Sequence, residues 1–491
     1  MEVRRLRPDW QQTMWIGAFA ALAGLLAGIT ALTMYGTSEG LFLALALAAL
    51  IGLGIVLAAG MEVWLPAIFT LSLLVLLNKT IADLPVTLYS FDPTLVLLYA
   101  VWLWQAWRGE ARGLRLTEVD YAGMVFLAWL LIASLFGQDV GKSLGGWLLY
   151  VRGFLVYFYF AHALRFRRQL WSVVLALLVL VAVQSGLALL QYITRSNIGS
   201  VADMVGSSVG AVRRVPVYGG SLFRVRGTLN TDTSLAHWLE MLLPLVLAFW
   251  LMEQRTSRRW RAGVGLIVLF AVGIAAQIAT FTRGGWIGLA TGVVVVLGLA
   301  LRGRLVRDRC TALTLLSVLL LLGLVLAFFH GPIMLRLFRS AENTLRVRSN
   351  LDQVALQMIQ TYPLTGIGLD NFVSVAPRFG VGWQWETQGK LHKVHNVYLA
   401  LATEAGPLAL LLFGLLLAGL LRRAWRLWQW GGTSALPWAN PLGVGLLGGL
   451  VAVMVHGLVA WGLLSYSVFP LFWLLAGLLP ATAQLALGKE R

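Results

Sequence analysis

The sequence predicts an all-α, polytopic helical membrane protein with about 12 to 14 transmembrane helices and a large structured outer loop containing an amphipathic helix. Of its 491 residues, 59% are hydrophobic and only 12% are charged, whereas soluble globular domains carry about 25% charged residues. Apolar runs of roughly 20 residues, long enough to cross about 30 Å of hydrocarbon, recur along the whole chain. These observations exclude a soluble fold.

Fourteen apolar segments are candidate spans. Because such segments recur to the C-terminus, the first is interpreted as a span rather than as a cleaved signal. The third and fourth segments are the pair with the weakest support as spans, so twelve or thirteen spans would also fit the sequence. The candidate spans are 15–34, 41–59, 63–80, 94–107, 121–136, 147–164, 170–193, 237–252, 262–281, 284–301, 311–329, 397–420, 441–461 and 465–486.

Basic clusters predict the orientation of these spans. Seven clusters hold 22 of the 38 Lys and Arg residues, and all fall on one side if every span crosses. The positive-inside rule makes that side the cytoplasm and places both termini there. The net charge of +17 is therefore interpreted as topology, and no nucleic-acid partner is predicted. The clusters lie at 4–7, 108–115, 165–168, 255–261, 302–309, 422–426 and 489–491.

Most of the other basic residues lie in two outer segments, 194–236 and 330–396. A cationic outer surface indicates an anionic ligand, and the alternative is that these side chains bind lipid headgroups or pair with nearby acids. In the first segment, Arg224 and Arg226 lie among many Gly and Ser residues, which predicts a flexible basic flap. Asp232 or Thr233 is the expected cap of the helix that follows.

The second outer segment is predicted to contain an amphipathic helix over about 350–361. Asn350 is a suitable cap for its start, and Pro363 ends it. Gly366 and Gly368 then permit a tight turn. Its apolar residues recur with helical spacing, at Leu351, Val354, Ala355, Met358 and Ile359.

Three arginines are candidate ligands for a phosphate-containing substrate. Arg283 lies in a tight outer turn followed by two glycines, and an ionisable group at a membrane boundary is a candidate functional residue, although arginines also snorkel to headgroups. Arg346 and Arg348 precede the amphipathic helix, and guanidinium groups bind phosphate through paired donors. These two side chains share a direction in an extended segment but not in a helix.

Residues 390–413, KLHKVHNVYLALATEAGPLALLLF, place two histidines at a polar-to-apolar boundary. His395 offers a neutral imidazole near pH 7, which suits a general base, and His392 is its competitor. Asn396 either orients the imidazole or caps the next span. His-x-x-His without Cys or acidic companions does not predict zinc, so no metal and no cofactor is predicted.

The segments RSNLDQVALQMIQTYPLTGIGLDNF (348–372), HNVYLALATEAGPLALLLF (395–413) and TRGGWIGLATG (282–292) together resemble the O-antigen ligase and polymerase superfamily. The resemblance covers roughly residues 220–420. Thr282 stands where serine is commoner, and GTLNTDTSLA resembles a Gly-Thr-x-x-Asn-Pro-Asn run, with Thr231 and Asp232 replacing its middle residues.

This resemblance implies a metal-independent inverting glycosyltransferase at the outer face of a bacterial inner membrane. Its donor would be a glycan on undecaprenyl diphosphate, and its acceptor lipid A–core or another glycan. His395 would be the catalytic base, with Arg283 and Arg348 on the diphosphate. Arg346, Arg224, Arg226, His392 and Asn396 are candidate substrate-binding residues.

The acceptor is left open by these motifs. An O-antigen ligase is favoured, and the alternatives are an O-antigen polymerase, a protein O-glycan ligase and, in a different class, a transporter of anionic lipid. The predicted organisation is N-terminal transmembrane helices (1–193), a basic outer loop (194–236), helices with the Arg283 turn (237–329), a periplasmic catalytic loop (330–396) and C-terminal helices (397–491).

Overall fold

The structure, a computed structural model, is helical apart from two short hairpins among the residues it describes. Those residues are 63–74, 78–80, 87–109, 114–200, 214–217, 220–253, 260–302, 316, 320, 323–324, 327–338, 343–380, 393–430 and 438–487.

The elements follow one another in chain order. They are α1 (Leu65–Ser72), β1 (Asn78–Thr80), β2 (Thr87–Tyr89), α2 (Asp92–Trp107), α3 (Glu118–Leu135), α4 (Val140–His162), α5 (Arg167–Thr194), β3 (Arg214–Val217), β4 (Gly220–Phe223), α6 (Asp232–Glu253), α7 (Trp260–Ala279), α8 (Arg283–Ala300), α9 (His330–Phe338), α10 (Asn343–Thr361), α11 (Phe372–Val375), α12 (Val397–Trp430), α13 (Ala439–Gly457) and α14 (Phe469–Leu487), with 3-10 turns at Ala376–Phe379 and Gly462–Leu464.

Eight of these helices are long and apolar enough, by length and composition, to cross a membrane. They confirm a multi-pass, all-α membrane protein, and they coincide with predicted spans. The eight are α3, α4, α5, α6, α8, α12, α13 and α14, while α7 contains a shorter apolar helix, Gly263–Ala279.

The predicted span 63–80 is not a continuous helix. Pro66 lies in the first turn of the eight-residue α1, and the polar residues Asn78–Thr80 then pair with Thr87–Tyr89 in an antiparallel hairpin. A hairpin forms here because this end of the segment lacks the apolar residues of a span. The predicted spans 15–34 and 41–59, with most of 311–329, lie outside the described residues.

The chain forms two compact units. One consists of Met1–Arg115 with His162–Leu177, and the other of Leu116–Ala161 with Leu178–Arg491. The second unit contains every predicted site residue.

Small residues bring α8 and α13 together inside the second unit. A Cβ added to Gly288 would lie 2.7 Å from the carbonyl oxygen of Ala452, and one added to Gly292 would lie 2.7 Å from that of Gly448. Helices in membranes associate through such small-residue faces because their backbones can approach closely. This packing positions the N-terminal end of α8 beside the C-terminal end of α13.

Candidate functional site

Helix α10 lies on an apolar core that also holds the segment before α12. Leu351, Val354 and Met358 pack in one cluster with Phe372 and Val394. The predicted amphipathic helix is therefore confirmed, although it starts earlier, at Asn343, and continues to Thr361 as expected from Pro363.

The predicted cap at Asn350 is wrong. Asn350 lies inside α10 and is exposed, because the helix extends a further seven residues toward the N-terminus. This extension also places both candidate arginines on the helix. At about 100° per residue, positions 346 and 348 lie about 200° apart around the helix axis. The two positions would share a direction only in an extended segment, and this segment is helical.

A break in α12 accepts the turn that follows α10. Gly406 leaves helical geometry at φ 82° and ψ 163°, which frees carbonyl groups of the preceding turn. The N–H of Ile367 donates to Thr403 O at 3.0 Å, and the N–H of Gly368 donates to Glu404 O at 2.9 Å. Irregular backbone at membrane depth is tolerated where protein groups satisfy it, and here the two irregular segments satisfy each other.

The side chain of Glu404 also stabilises the turn that follows α10. Its Oε2 accepts the Asp370 N–H at 3.0 Å, and Asp370 adopts a left-handed φ of 59°. Lys393 pairs with the Asp370 carboxylate. Burial alone would lower the pKa of Lys393, but the charges of Glu404 and Asp370 raise it. The turn and the segment that carries His395 are therefore fixed to each other.

His395 is half-buried between two anchored neighbours. On one side, Val394 packs in the α10 core. On the other, the Asn396 Oδ1 accepts the N–H groups of Tyr398 at 2.9 Å and Leu399 at 3.0 Å. This is the capping role that the sequence offered for Asn396, and it fixes the backbone direction at His395. His392 lies outside the described residues.

The turn before α8 is held by Arg224. The Arg224 Nε donates to Thr280 O at 2.8 Å, its Nη2 donates to Thr282 Oγ1 at 2.7 Å, and it forms an ion pair with Asp232. Arg283 follows as the first residue of α8. Arg224 and Arg283 are thus brought together, as neighbours across one turn.

Neither Asp232 nor Thr233 caps α6, contrary to the prediction. Thr231 Oγ1 instead accepts the Ser234 N–H at 3.0 Å, one residue earlier than expected. The physical reason is that the Asp232 carboxylate is engaged by Arg224.

Residues 226–228, described within the predicted flap, are anchored to α5. The Gln191 Oε1 accepts the N–H groups of Arg226 and Gly227, each at 3.0 Å, and the Gln184 Oε1 accepts that of Thr228 at 2.9 Å. Arg226 is 2% exposed and its Nη1 donates to a backbone carbonyl, Asn230 O, at 3.2 Å. Its observed contact therefore stabilises the segment, and a substrate contact by Arg226 stays a prediction.

Arg336 and Arg348 complete an arginine cluster, which we define as Arg224, Arg283, Arg336 and Arg348. Arg336 donates from Nε to Phe281 O at 3.0 Å. Burial and the positive charges of Arg224 and Arg283 lower its pKa to about 10. Burial and the charge of Arg283 also lower the pKa of Arg348. Guanidinium groups that perturb one another in this way lie close together.

The arginine cluster can hold a doubly charged anion. Asp232 and Asp352 are the acids that act on it in the described residues, so two of the four positive charges are not compensated. The Arg348 Nε is buried with no hydrogen-bond partner among the described groups. The cluster also adjoins the N-terminus of an 18-residue helix, where free N–H groups and the helix dipole favour negative charge.

A second group of ionisable residues was missed by the sequence analysis. Glu240 and His237 on α6 and His456 on α13 are each at most 1% exposed. Their possible ligand atoms lie within 4.8 Å of one another, so they are the described set that could hold a metal ion. Histidine and glutamate inside apolar spans, at His-x-x-Glu spacing, are a signal that was available, because intramembrane ionisable residues are candidate functional residues.

Sequence reasoning also did not single out Arg336. It lies in a short segment, MLRLF, where its charge resembles that of any outer arginine. Its contact with Phe281 O links positions 55 residues apart. No local pattern encodes such a contact.

The comparison with known families gives one match. Residues 268–414 match a family model described as O-Antigen ligase. The match includes Arg283, Arg348 and His395, with the α12 break. No curated protein matches the chain.

Proposed function

We propose that the chain, whose residues 268–414 match a family model described as O-Antigen ligase, is an inverting O-antigen ligase that transfers a glycan from undecaprenyl diphosphate to lipid A–core. The family is that of membrane glycosyltransferase-type enzymes with lipid-linked glycan substrates. The donor, the acceptor and the residue roles below are the proposal.

The arginine cluster is the observation that carries this proposal. A diphosphate esterified at both ends carries two negative charges, which match the two uncompensated positive charges of the cluster. Guanidinium groups bind phosphate oxygens through paired N–H donors, and the free N–H groups at the start of α8 add further donors. Arg283, Arg336 and Arg348 would therefore bind the diphosphate, while Arg224 holds the turn that presents Arg283.

His395 is the proposed general base. Its neutral imidazole takes the proton from the acceptor hydroxyl, whose oxygen forms a bond to the anomeric carbon. The bond from that carbon to the diphosphate oxygen breaks, and its electron pair stays on the leaving diphosphate. The arginine cluster stabilises the charge that develops there. Attack from the face opposite the diphosphate inverts the anomeric configuration.

The structural support for His395 is its fixed backbone. Val394 packs with Leu351 on α10, the helix that carries Arg348 one turn earlier. Asn396 caps α12 immediately after it. A base must reach its proton within hydrogen-bond distance, so such anchoring is expected of it.

The acceptor is proposed to be lipid A–core, at the outer face of the bacterial inner membrane. The topology carried by the six basic clusters from 108–115 onward supports an outer location, because it places the turn before α8 and the segment before α12 on the side opposite those clusters. The diphosphate of a lipid-linked donor lies at the membrane surface, and the arginine cluster lies at the ends of apolar helices, where that surface is expected.

The test is a transfer assay in liposomes with purified protein and a defined undecaprenyl-diphosphate glycan, with and without lipid A–core. We expect product only with lipid A–core. We expect His395→Ala to lower the rate about 10²- to 10⁴-fold and Arg348→Ala about 10²- to 10³-fold. The matched controls are His330→Ala and Arg378→Ala, which remove an exposed histidine and an exposed arginine outside the cluster.

Each arm has an outcome that contradicts the proposal. Full transfer by His395→Ala would exclude His395 as the general base. Unchanged transfer by Arg348→Ala would exclude the arginine cluster as the diphosphate site. Lengthened glycan on the carrier without lipid A–core would make the protein a polymerase.

A further inference from the structure

The buried group on α6 and α13 is one carboxylate shared by two imidazoles. The His237 Nδ1 lies 2.6 Å from Glu240 Oε1. The His456 Nδ1 lies 3.0 Å from Oε1 and 2.9 Å from Oε2 of the same residue. The two rings stack with centroids 4.0 Å apart. The proposed function uses none of these three residues.

The spacing is that of hydrogen bonds rather than of a metal site. Two ligand atoms on one tetrahedral zinc lie about 3.3 Å apart, given metal–ligand bonds of about 2.0 to 2.1 Å, whereas His237 Nδ1 and Glu240 Oε1 are 2.6 Å apart. A metal-bound histidine also donates its second ring N–H to a partner. The His237 Nε2 is buried with no such partner among the described residues.

The hydrogen bonds define which nitrogen of each ring carries the proton. Both Nδ1 atoms face the carboxylate, which accepts but cannot donate when ionised, so each Nδ1 is the donor. Both Nε2 atoms are then free to accept a proton. A carboxylate that orients a histidine through Nδ1 and stabilises the imidazolium is the arrangement of Asp and His in hydrolase triads.

The Nε2 edge of His456 faces the turn that carries Arg283. A Cβ added to Gly284 would lie 2.7 Å from His456 Nε2, so α8 begins directly against this nitrogen. The charge of Arg348 also acts on the His456 ring. His456 therefore lies between a carboxylate on one side and the arginine cluster on the other.

We propose that His456 and Glu240 form a buried acid–base pair that takes up one proton when a diphosphate occupies the arginine cluster. The protonated Nε2 of His456 then donates a hydrogen bond to a diphosphate oxygen at the start of α8. This inference rests on the proposed function, because it needs the diphosphate in the cluster. His456 is a binding residue in this scheme, and Glu240 is the positioning residue that stabilises its charge.

Electrostatics give the direction of the coupling. With the cluster empty, the charge of Arg348 opposes a positive charge on His456, whereas a doubly charged anion in the cluster cancels this effect. Binding the anion and binding the proton then favour each other. The titratable and charged groups that contact or act on His456 are Glu240 and His237 on α6 and Arg348 on α10. Arg283 precedes Gly284, which lies against the His456 ring, and Tyr398 on α12 lies beside the neighbouring Gly457.

The experiment measures binding of methyl farnesyl diphosphate to the full-length protein in detergent. This diester has no titratable proton between about pH 6 and 8, and Arg336, with a pKa lowered to about 10, stays charged there. Isothermal titration calorimetry in buffers of different ionisation enthalpy gives the number of protons taken up. For wild-type protein we expect about one proton and an affinity that weakens up to about tenfold per pH unit above the titration.

Glu240→Gln keeps the shape and the acceptor oxygen but removes the charge, so we expect proton uptake to be lost and the affinity to become independent of pH. His456→Gln gives the same result by removing the base itself. His330→Gln, an exposed histidine elsewhere, retains wild-type uptake.

The outcomes separate this inference from the proposed function. If the diester does not bind, or binds equally well to Arg348→Ala, the diphosphate site fails and the coupling fails with it. If binding depends on Arg348 but takes up no proton, or if Glu240→Gln still takes one up, the acid–base pair alone is overturned. Stoichiometric metal in wild-type protein that is lost in Glu240→Gln would overturn it in favour of a metal site.

Discussion

Replacing Gly288 by alanine tests whether the close approach of α6, α8 and α13 builds the buried part of the site. Gly288 faces both partner helices. A Cβ there would lie 2.7 Å from Ala452 O and 2.8 Å from Glu240 Oε2. On the same helix, a Cβ at Gly298 would meet nothing within 4 Å. The two substitutions are therefore chemically identical and differ only in what the new methyl group meets.

The cost follows from these distances. An ordinary carbon–oxygen contact is about 3.4 Å, so the neighbours must move by about 0.6 to 0.7 Å. One neighbour is backbone and the other is a carboxylate held by two histidines, so neither moves freely. Overpacking of this kind costs about 1 to 3 kcal/mol, and alanine in a helix recovers about 0.5 to 1 kcal/mol relative to glycine. The difference is a net loss of about 0 to 2.5 kcal/mol for Gly288→Ala, with a central value of about 1 kcal/mol, and a small gain is expected for Gly298→Ala.

The assay is thermal unfolding of both variants and wild type in the same detergent, scanned at one rate. Gly288→Ala should unfold at a temperature about 1 to 3 °C lower than Gly298→Ala. Equal unfolding temperatures for the two variants would refute the argument, because they would mean that α8 does not contact α13 and Glu240 as described.

Two further predictions concern the segments that hold His395. Glu404→Ala removes the acceptor of the Asp370 N–H and should lower stability by about 0.5 to 1.5 kcal/mol, the usual net contribution of one hydrogen bond. Glu404→Gln keeps an acceptor oxygen and should lose less. Equal unfolding temperatures for the two variants would show that the hydrogen bond at 3.0 Å is not the stabilising contact. Asn396→Ala removes the cap of α12 and should lower the free energy of unfolding by about 1 kcal/mol, whereas Asn396→Asp retains the cap. Hydrogen exchange should show faster opening at Tyr398 and Leu399 in the alanine variant alone.

The sequence predicted the helical fold because apolar length and composition are local properties. The apolar spacing of Leu351, Val354 and Met358 and the stop at Pro363 likewise predicted α10 almost to its end. Its start was predicted seven residues too late because Asn350 is a good cap by type, and residue type alone does not say whether a helix has already begun. The same limit applies to Asp232, whose carboxylate is used by an arginine eight residues earlier.

The site was predicted only in part because its contacts are long-range. Arg283, Arg348 and His395 stand out at boundaries between polar and apolar sequence, which is a local signal. Arg336 and His456 are recognised as part of these sites only through their contacts with Phe281 and Glu240, which are distant in sequence.

The requirement for satisfied backbone in a membrane separates supporting residues from reactive ones. Irregular backbone near apolar helices needs protein partners for its N–H and C=O groups. Gln191, Arg224 and Glu404 serve three such turns and thereby use hydrogen-bonding capacity that a substrate would otherwise take. Arg348 differs from them, because its Nε is buried with no partner among the described groups.

A buried guanidinium donor without a partner costs free energy, since desolvation is not repaid. That cost disappears when an anion binds, so Arg348 stabilises the occupied site more than the empty one. Variants of the three supporting residues should therefore lower stability with or without a diphosphate. Arg348→Ala should instead reduce the extra stability that methyl farnesyl diphosphate confers, because its effect requires the ligand.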